Sequence, residues 1–498
     1  MTTTVDIAKS PSPTGRRGSH ALRWWVLAVL GIAQLMVVLD ATVVNIALPE
    51  AQADLGFSNA DRQWVVTGYA LAFGSLLLLG GRLSDLFGRR TTFIAGLVGF
   101  AVASAVGGAA GSFEVLVGAR VAQGVFGALL APAALSLLTV TFTEPSERAK
   151  AFGIFGAVAG AGGALGLLLG GALTEWASWR WVMYVNLVFA AVALVGAAML
   201  LAKHVVATER PKLDVPGTIT VTAALFSIVY GFSKAESDGW TSSATLAFLI
   251  GGVALLAAFV AIESRVAHPL LPLRILTDRT RAGSYFTVFA IGIGMFAMFL
   301  FLTYYMQQTL HYTPIVTGVA FLPMVVGMVV SSTTVPTLVM PRVGPKIAMT
   351  AGFLLEALGM ALLTQIDLDT SYATHILPGL ILMGLGGGTA MSIAFQGATA
   401  GVVHTDAGVA SAMVNTSQQV GGSIGTALLS TLAATAFDKY VTEHDPAAPI
   451  TMAKAAIASY TTTFWWAAGI FLVGAVVIAF LMPNTVPAPA EGEPVLAH

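Results

Sequence analysis

The chain has 498 residues, 56% of them apolar and only 10% charged, against roughly 25% charged in a typical soluble domain. A net charge of −1 gives no electrostatic footprint for a nucleic-acid partner, and the absence of cysteine excludes disulfides and Cys-based zinc or iron–sulfur sites. The 8 histidines are scattered; His204, His268, His311, His375 and His404 fall in loops without metal-ligand spacing, so no metal is expected.

Residues 1–22 are polar and rich in Ser, Thr and Pro, with no short apolar core followed by a small-residue cleavage site. They read as a disordered cytoplasmic tail ahead of an uncleaved signal-anchor. Apolar runs then cover 24–48, 64–81, 92–111, 114–141, 151–173 and 181–202, each long enough for a hydrocarbon core of ~30 Å. Two more, 215–233 and 244–263, are bracketed by basic, proline-containing segments at 203–212 and 265–281. Six further runs follow at 283–306, 315–338, 347–364, 375–400, 408–437 and 460–482. The order six, two, six predicts an N-terminal bundle at 23–203, an inserted pair at 204–268, a C-terminal bundle at 269–482 and a second cytoplasmic tail at 483–498. The predicted class is an all-α membrane protein of fourteen transmembrane helices.

Loop charge supports this count independently. With the N-terminus inside, all but Arg62, Arg120, Arg180, Lys234, Lys439 and Lys454 of the 24 lysines and arginines fall in cytoplasmic segments. Adding or dropping an early helix would destroy that bias, so the positive-inside rule fixes count and orientation together. A weak internal echo, residues 81–90 against 341–346, follows the second helix of each half and suggests parallel halves with a site between them.

Asp40 lies about 10 Å below the outer end of the first helix, and Arg120 about 9 Å into the fourth, so the two sit at matching depth. An ionised carboxylate there must be paired, wetted or protonated. Changing its separation from the arginine would switch its hold on a proton, as a proton-coupled cycle needs; a static ion pair is the plainer alternative. Helix 5 carries Gly153, Gly156, Gly160, Gly163, Gly166, Gly170 and Gly171. Their spacing predicts a ridge on one face for close packing or for a sliding contact. The turn at 81–90 joins Gly81 and Gly88 with Asp85, Arg89 and Arg90. Gln34, Asn45, Gln123, Tyr305, Gln307 and Gln308 are candidates to line a cavity, or else polar glue between helices. Glu356, about 13 Å into helix 11, joins them as a near-midplane acid. No nucleophile–base constellation, nucleotide loop or metal cluster suggests an enzyme.

The string Leu39-Asp40-Ala41-Thr42-Val43-Val44-Asn45-Ile46-Ala47-Leu48-Pro49 resembles the first-helix signature of the drug:proton antiporter-2 branch of the major facilitator superfamily. Gly81 through Arg90 is similar to the superfamily's loop 2–3 motif, and Arg120-Val121-Ala122-Gln123-Gly124 to its fourth-helix motif. Val409-Ala410-Ser411-Ala412 through Asn415, Thr416, Gly421, Gly422 and Gly425 resembles the branch's thirteenth-helix string. The resemblance covers 23–482 and implies the major facilitator fold, a conformational latch at 81–90, a proton-relay arginine at Arg120, a peripheral helix 11 and export driven by proton influx. Three departures stand out: Gly166-Leu167 where Gly-Pro is usual, Asn186-Leu187 where Asn-Val-Pro is usual, and Gln418 where arginine is common. Losing the proline is expected to remove a built-in helix irregularity.

The expected function is thus proton-coupled efflux of amphipathic or hydrophobic small molecules such as antibiotics. Protons, the substrate and the bilayer would be its partners and the proton gradient its only energy source, with no cofactor. A monomer in a bacterial inner membrane with both termini cytoplasmic is expected. A facilitator or carrier for a lipid, siderophore or other metabolite, and a non-transporting receptor or scaffold, are the rival readings.

Overall fold

A backbone crossing hydrocarbon must satisfy its own N–H and C=O groups, and long apolar runs separated by short turns do so as helices. The computed structural model describes residues 13–57, 59–201, 213–445 and 450–484, and among them there is no strand. The membrane helices are α1 (Pro13–Leu55), α2 (Asn59–Phe87), α3 (Arg89–Gly108), α4 (Phe113–Thr141), α5 (Pro145–Trp176) and α6 (Trp179–Leu200). The pair α7 (Val215–Asp238) and α8 (Ser243–Glu263) follows. Then come α9 (Arg279–Thr309), α10 (Ile315–Val343), α11 (Pro345–Leu363), α12 (Tyr372–Ala398), α13 (Ala407–Glu443) and α14 (Thr451–Leu481). Among the described residues thirteen are apolar spans in one piece, and α5 makes the fourteenth from two segments, Glu147–Gly163 and Leu168–Trp176, inclined by 46°.

Several helices outrun their apolar cores. α1 starts at Pro13, so residues 13–22 of the expected tail are helical, and α14 begins at Thr451 rather than near 460. Helical hydrogen bonding needs no apolar side chains, so a span continues into the aqueous layer unseen by hydropathy. Residues 1–12, the basic segment at 203–212 and most of the C-terminal tail lie outside the described residues.

The two halves repeat one packing scheme. In the first, α2 and α3 pack on α4, α1 on α4, α5 and α6, and α3 on α6; the helix numbered eight higher makes the matching contact in the second half. The echo at the second turn is also geometric. Gly88 (φ 90°, ψ 134°) precedes α3 as Gly344 (φ 83°, ψ 161°) precedes α11, a left-handed conformation that a side chain would strain. Between halves, α2 meets α13, and α5 meets α10 and α12. α7 lies against both α2 and α13, whereas α8 packs on α7 and leaves Ile250 and Val253 exposed. At Gly74 of α2 three helices converge: a β-carbon there would lie 2.8 Å from Gln419 of α13 and 3.7 Å from Val229 of α7.

The irregularity in α5 survives without proline, which corrects the expectation drawn from Leu167. Gly162, Gly163 and Gly166 flank the bend, and glycine clusters lower a helix's resistance to kinking. At Gly166 a β-carbon would lie 1.9 Å from Thr42 Oγ1 of α1, so a side chain there would have to displace that hydroxyl.

Candidate functional site

Five helices of the first half converge on Asp40, which is 1% exposed. Arg120 Nη1 of α4 donates to its Oδ2 at 2.5 Å. Its Oδ1 accepts from Gln123 Nε2 of α4 at 2.9 Å and from Asn186 Nδ2 of α6 at 2.7 Å. Arg120, itself fully buried, also donates through Nε to the Val65 carbonyl of α2 (3.2 Å) and through Nη1 to Gln123 Oε1 (2.8 Å). Gln123 Nε2 reaches Ser104 Oγ of α3 as well, at 2.7 Å. The Tyr69 ring of α2 lies 4.4 Å from the guanidinium carbon, a cation–π contact in a site without water-facing surface. Every charge here has an opposite charge or a donor, the condition under which ions persist in a dry interior.

Asn186, Ser104, Tyr69 and the Val65 carbonyl were not among the candidates read from the sequence. Asn186 was visible as a polar residue in an otherwise apolar helix, and only its partner was missing. Asn186→Ala removes one donor to a buried carboxylate and is expected to cost roughly 1.5–3 kcal/mol, read as a lower unfolding temperature of the purified protein.

The loop residues gather where α2 meets α13. Asp85 Oδ1 accepts from the backbone N–H of Gly408, in the first turn of α13, at 3.0 Å, and Arg89 lies 3.7 Å from the same oxygen. A carboxylate at a helix N-terminus meets unsatisfied N–H groups and the positive end of the helix dipole. Gly81 and Gly408 cross in backbone contact: a β-carbon on Gly81 would lie 2.5 Å from Gly408 O, and one on Gly408 2.3 Å from Gly81 O. Gly88 supplies the turn, and Arg90 points away to the Ala198 carbonyl of α6 at 3.4 Å. A second tie between the halves stands nearby, where Arg148 Nη2 of α5 donates to Thr399 O (3.1 Å) and Oγ1 (3.0 Å) beyond α12. The molecule is therefore closed at this basic end.

The glycines of α5 divide between the other half and α1 rather than forming one ridge. β-Carbons on Gly153, Gly156, Gly160 and Gly163 would meet Ser332, Ser392, Met328 and Phe299 of the other half at 2.0, 3.5, 2.2 and 3.0 Å. Those on Gly166 and Gly170 would meet Thr42 and Val43 of α1, and Gly171 is buried. Repeated three-residue steps fall short of a full turn, so the row drifts round the helix, and the bend completes the change of partner.

The cavity candidates do not gather in one place. Gln34 and Asn45 lie on α1, Gln34 buried, and Gln123 belongs to the Asp40 network. Tyr305 and Gln307 sit on a wider turn that ends α9, where Tyr305 donates to the Asp367 carbonyl at 2.7 Å and Tyr460 donates to Gln308 Oε1 at 3.3 Å. Glu356 is buried on α11 against Gly386 and Gly387 of α12. Among the described residues no cluster of three or more metal-ligating side chains occurs.

Two helix bundles of one packing pattern, meeting along glycine seams in a shell of lipid-facing apolar side chains, define a polytopic membrane transporter. The chain belongs to the Major Facilitator Superfamily, which it matches over residues 30–426. It is 47% identical over 477 residues to the puromycin resistance protein pur8 of Streptomyces alboniger, covering 95% of this chain and 94% of that one. It is 38% identical to the cephamycin export protein CmcT of Amycolatopsis lactamdurans (85% and 88% covered), and 35% to the lincomycin resistance protein of Streptomyces lincolnensis (82% and 83%). The crystal structure of the human organic anion transporter MFSD10 shares the fold at a TM-score of 0.62 and 16% identity, covering 92% of this chain and 99% of that one. The resistance and export proteins are relatives of the kind that the drug:proton antiporter-2 resemblance implies.

Proposed function

We propose that this transporter exports antibiotic-like, amphipathic small molecules in exchange for protons, with Asp40 the proton-carrying group. The observation that carries the coupling is the Asp40–Arg120 pair, a carboxylate buried among five helices with its charge held by one cation and two amide donors. The resistance and export relatives support the direction and the substrate class. The loop-charge bias supports a plasma-membrane protein with both termini in the cytoplasm, so the closed basic end faces inward. A monomer with no cofactor beyond the proton gradient completes the reading.

The arrangement suits a proton switch. Arg120 keeps the Val65 carbonyl and Gln123 Oε1 as acceptors when Asp40 is neutral, so the guanidinium is not stranded as the carboxyl takes a proton. Movement of α1 or α6 that withdraws a donor from Asp40 raises the cost of its charge, and protonation answers it. Transport and proton release in everted vesicles with Asp40→Asn test the assignment. Substrate-induced proton movement is expected to disappear, with substrate binding retained. If the variant still accumulates substrate equally with and without a pH gradient, the pair is structural and the protein is a facilitator.

A further inference from the structure

The second half buries a carboxyl of its own without a counter-charge. Glu356 is 1% exposed, and its Oε2 has no hydrogen-bond partner among the described residues. It packs on two glycines of α12: β-carbons on Gly386 and Gly387 would lie 2.8 Å from its Cγ and 3.1 Å from its Oε1. The segment Leu322–Thr334 of α10 carries no titratable residue, and α12 has only Tyr372 and His375, in its first turn. Lys346 stands at the basic end of α11, while Lys454 and Tyr460 of α14 lie toward the opposite end. Among the described residues no cation or hydrogen-bond donor faces it, so an ionised carboxylate at this depth would go uncompensated.

Packing does not require an acid at this position. Counted from the matching glycines Gly88 and Gly344, Glu356 stands where the first half has Phe100, whose ring rests on Gly127 of α4 as Glu356 rests on Gly387 of α12. Met328 of α10 lies between this carboxyl and the seam. Its Cε would be 3.4 Å from a β-carbon on Gly387, and its Sδ 2.2 Å from one on Gly160 of α5.

We propose that Glu356 is a second proton-binding site, in the half opposite Asp40, and that Met328 plugs it while α5 lies against α10. When the seam parts, the flexible thioether is free to withdraw. The carboxyl O–H bond then breaks, the proton passes to water entering the seam, and the carboxylate left behind can take up another. The role in transport rests on the proton-coupled reading above; the bound proton does not.

Infrared difference spectra of the full-length protein in lipid nanodiscs, together with vesicle transport, test this. The wild type should show a protonated-carboxyl C=O band that is lost in Glu356→Gln and kept in Asp40→Asn, and whose deuterium exchange quickens in Met328→Ala. Glu356→Phe, which copies the first half, should fold and also lack the band. Loss of proton-coupled transport in Asp40→Asn with only weakened pH-gradient dependence in Glu356→Gln supports both sites. A Glu356→Gln spectrum identical to the wild type overturns the proton-binding site, and unaltered coupling in that variant overturns its part in transport. Coupling kept in Asp40→Asn but lost in Glu356→Gln overturns the Asp40 reading and leaves Glu356 standing.

Discussion

Arg120→Leu is expected to destabilise the protein by about 3–5 kcal/mol, because the Asp40 carboxylate then stays buried without its cation. Both side chains are at most 1% exposed, so no solvent replaces the lost partner. The double variant Asp40→Asn, Arg120→Leu is expected to recover most of the loss, since an amide leaves no stranded charge and still accepts from Gln123 and Asn186. Thermal unfolding of the wild type, the two single variants and the double variant in one detergent measures the cycle. A single-variant loss below about 1 kcal/mol, the range of solvated surface pairs, would contradict the dry network described here.

Gly81→Val is expected to prise α2 from α13 at the basic end. The obstructing atoms are the Gly408 carbonyl at 2.5 Å and the Ala412 β-carbon at 2.6 Å from the position a β-carbon would take, so no flexible side chain can yield. Overpacking of this kind costs about 1–3 kcal/mol, which the protein can relieve by opening the seam. Asp85→Ala acts in the same direction by deleting the bond to Gly408 N–H, worth roughly 1.5–3 kcal/mol, and so shifts the equilibrium by about tenfold or more toward the state open at this end. Because the chain has no cysteine, spin labels on Phe87→Cys and Val403→Cys, both exposed in this structure, report the opening directly. Unchanged distance distributions in both variants would remove the latch from the mechanism.

The number of helices and their pairing into halves were legible because each signal is local: apolar length, loop charge and the repeated turn at Gly88 and Gly344. Asp40 and Arg120 were legible for a related reason. Two charges in hydrocarbon at one depth have few ways to be satisfied except by each other. The partners of Asn186, Ser104 and Gln123 were not legible in this way, since a neutral polar side chain can bond to many partners and only the helix packing selects one. The division of the α5 glycines between the other half and α1 also escaped sequence spacing, which assumes a straight helix. Met328 carried no signal at all, because its significance lies in Gly160 and Gly387 on two other helices.

The inserted pair has a mechanical consequence. α7 leans on α2 and on α13 at once, and the Trp240 indole beyond it is tied to Thr431 of α13 at 2.9 Å. Any motion that separates α2 from α13 must drag this strut with one of them and peel it from the other. The seam on that side thus carries a brace bridging both of its helices, while on the opposite side α5 meets α10 and α12 directly and is held to Thr399 by Arg148.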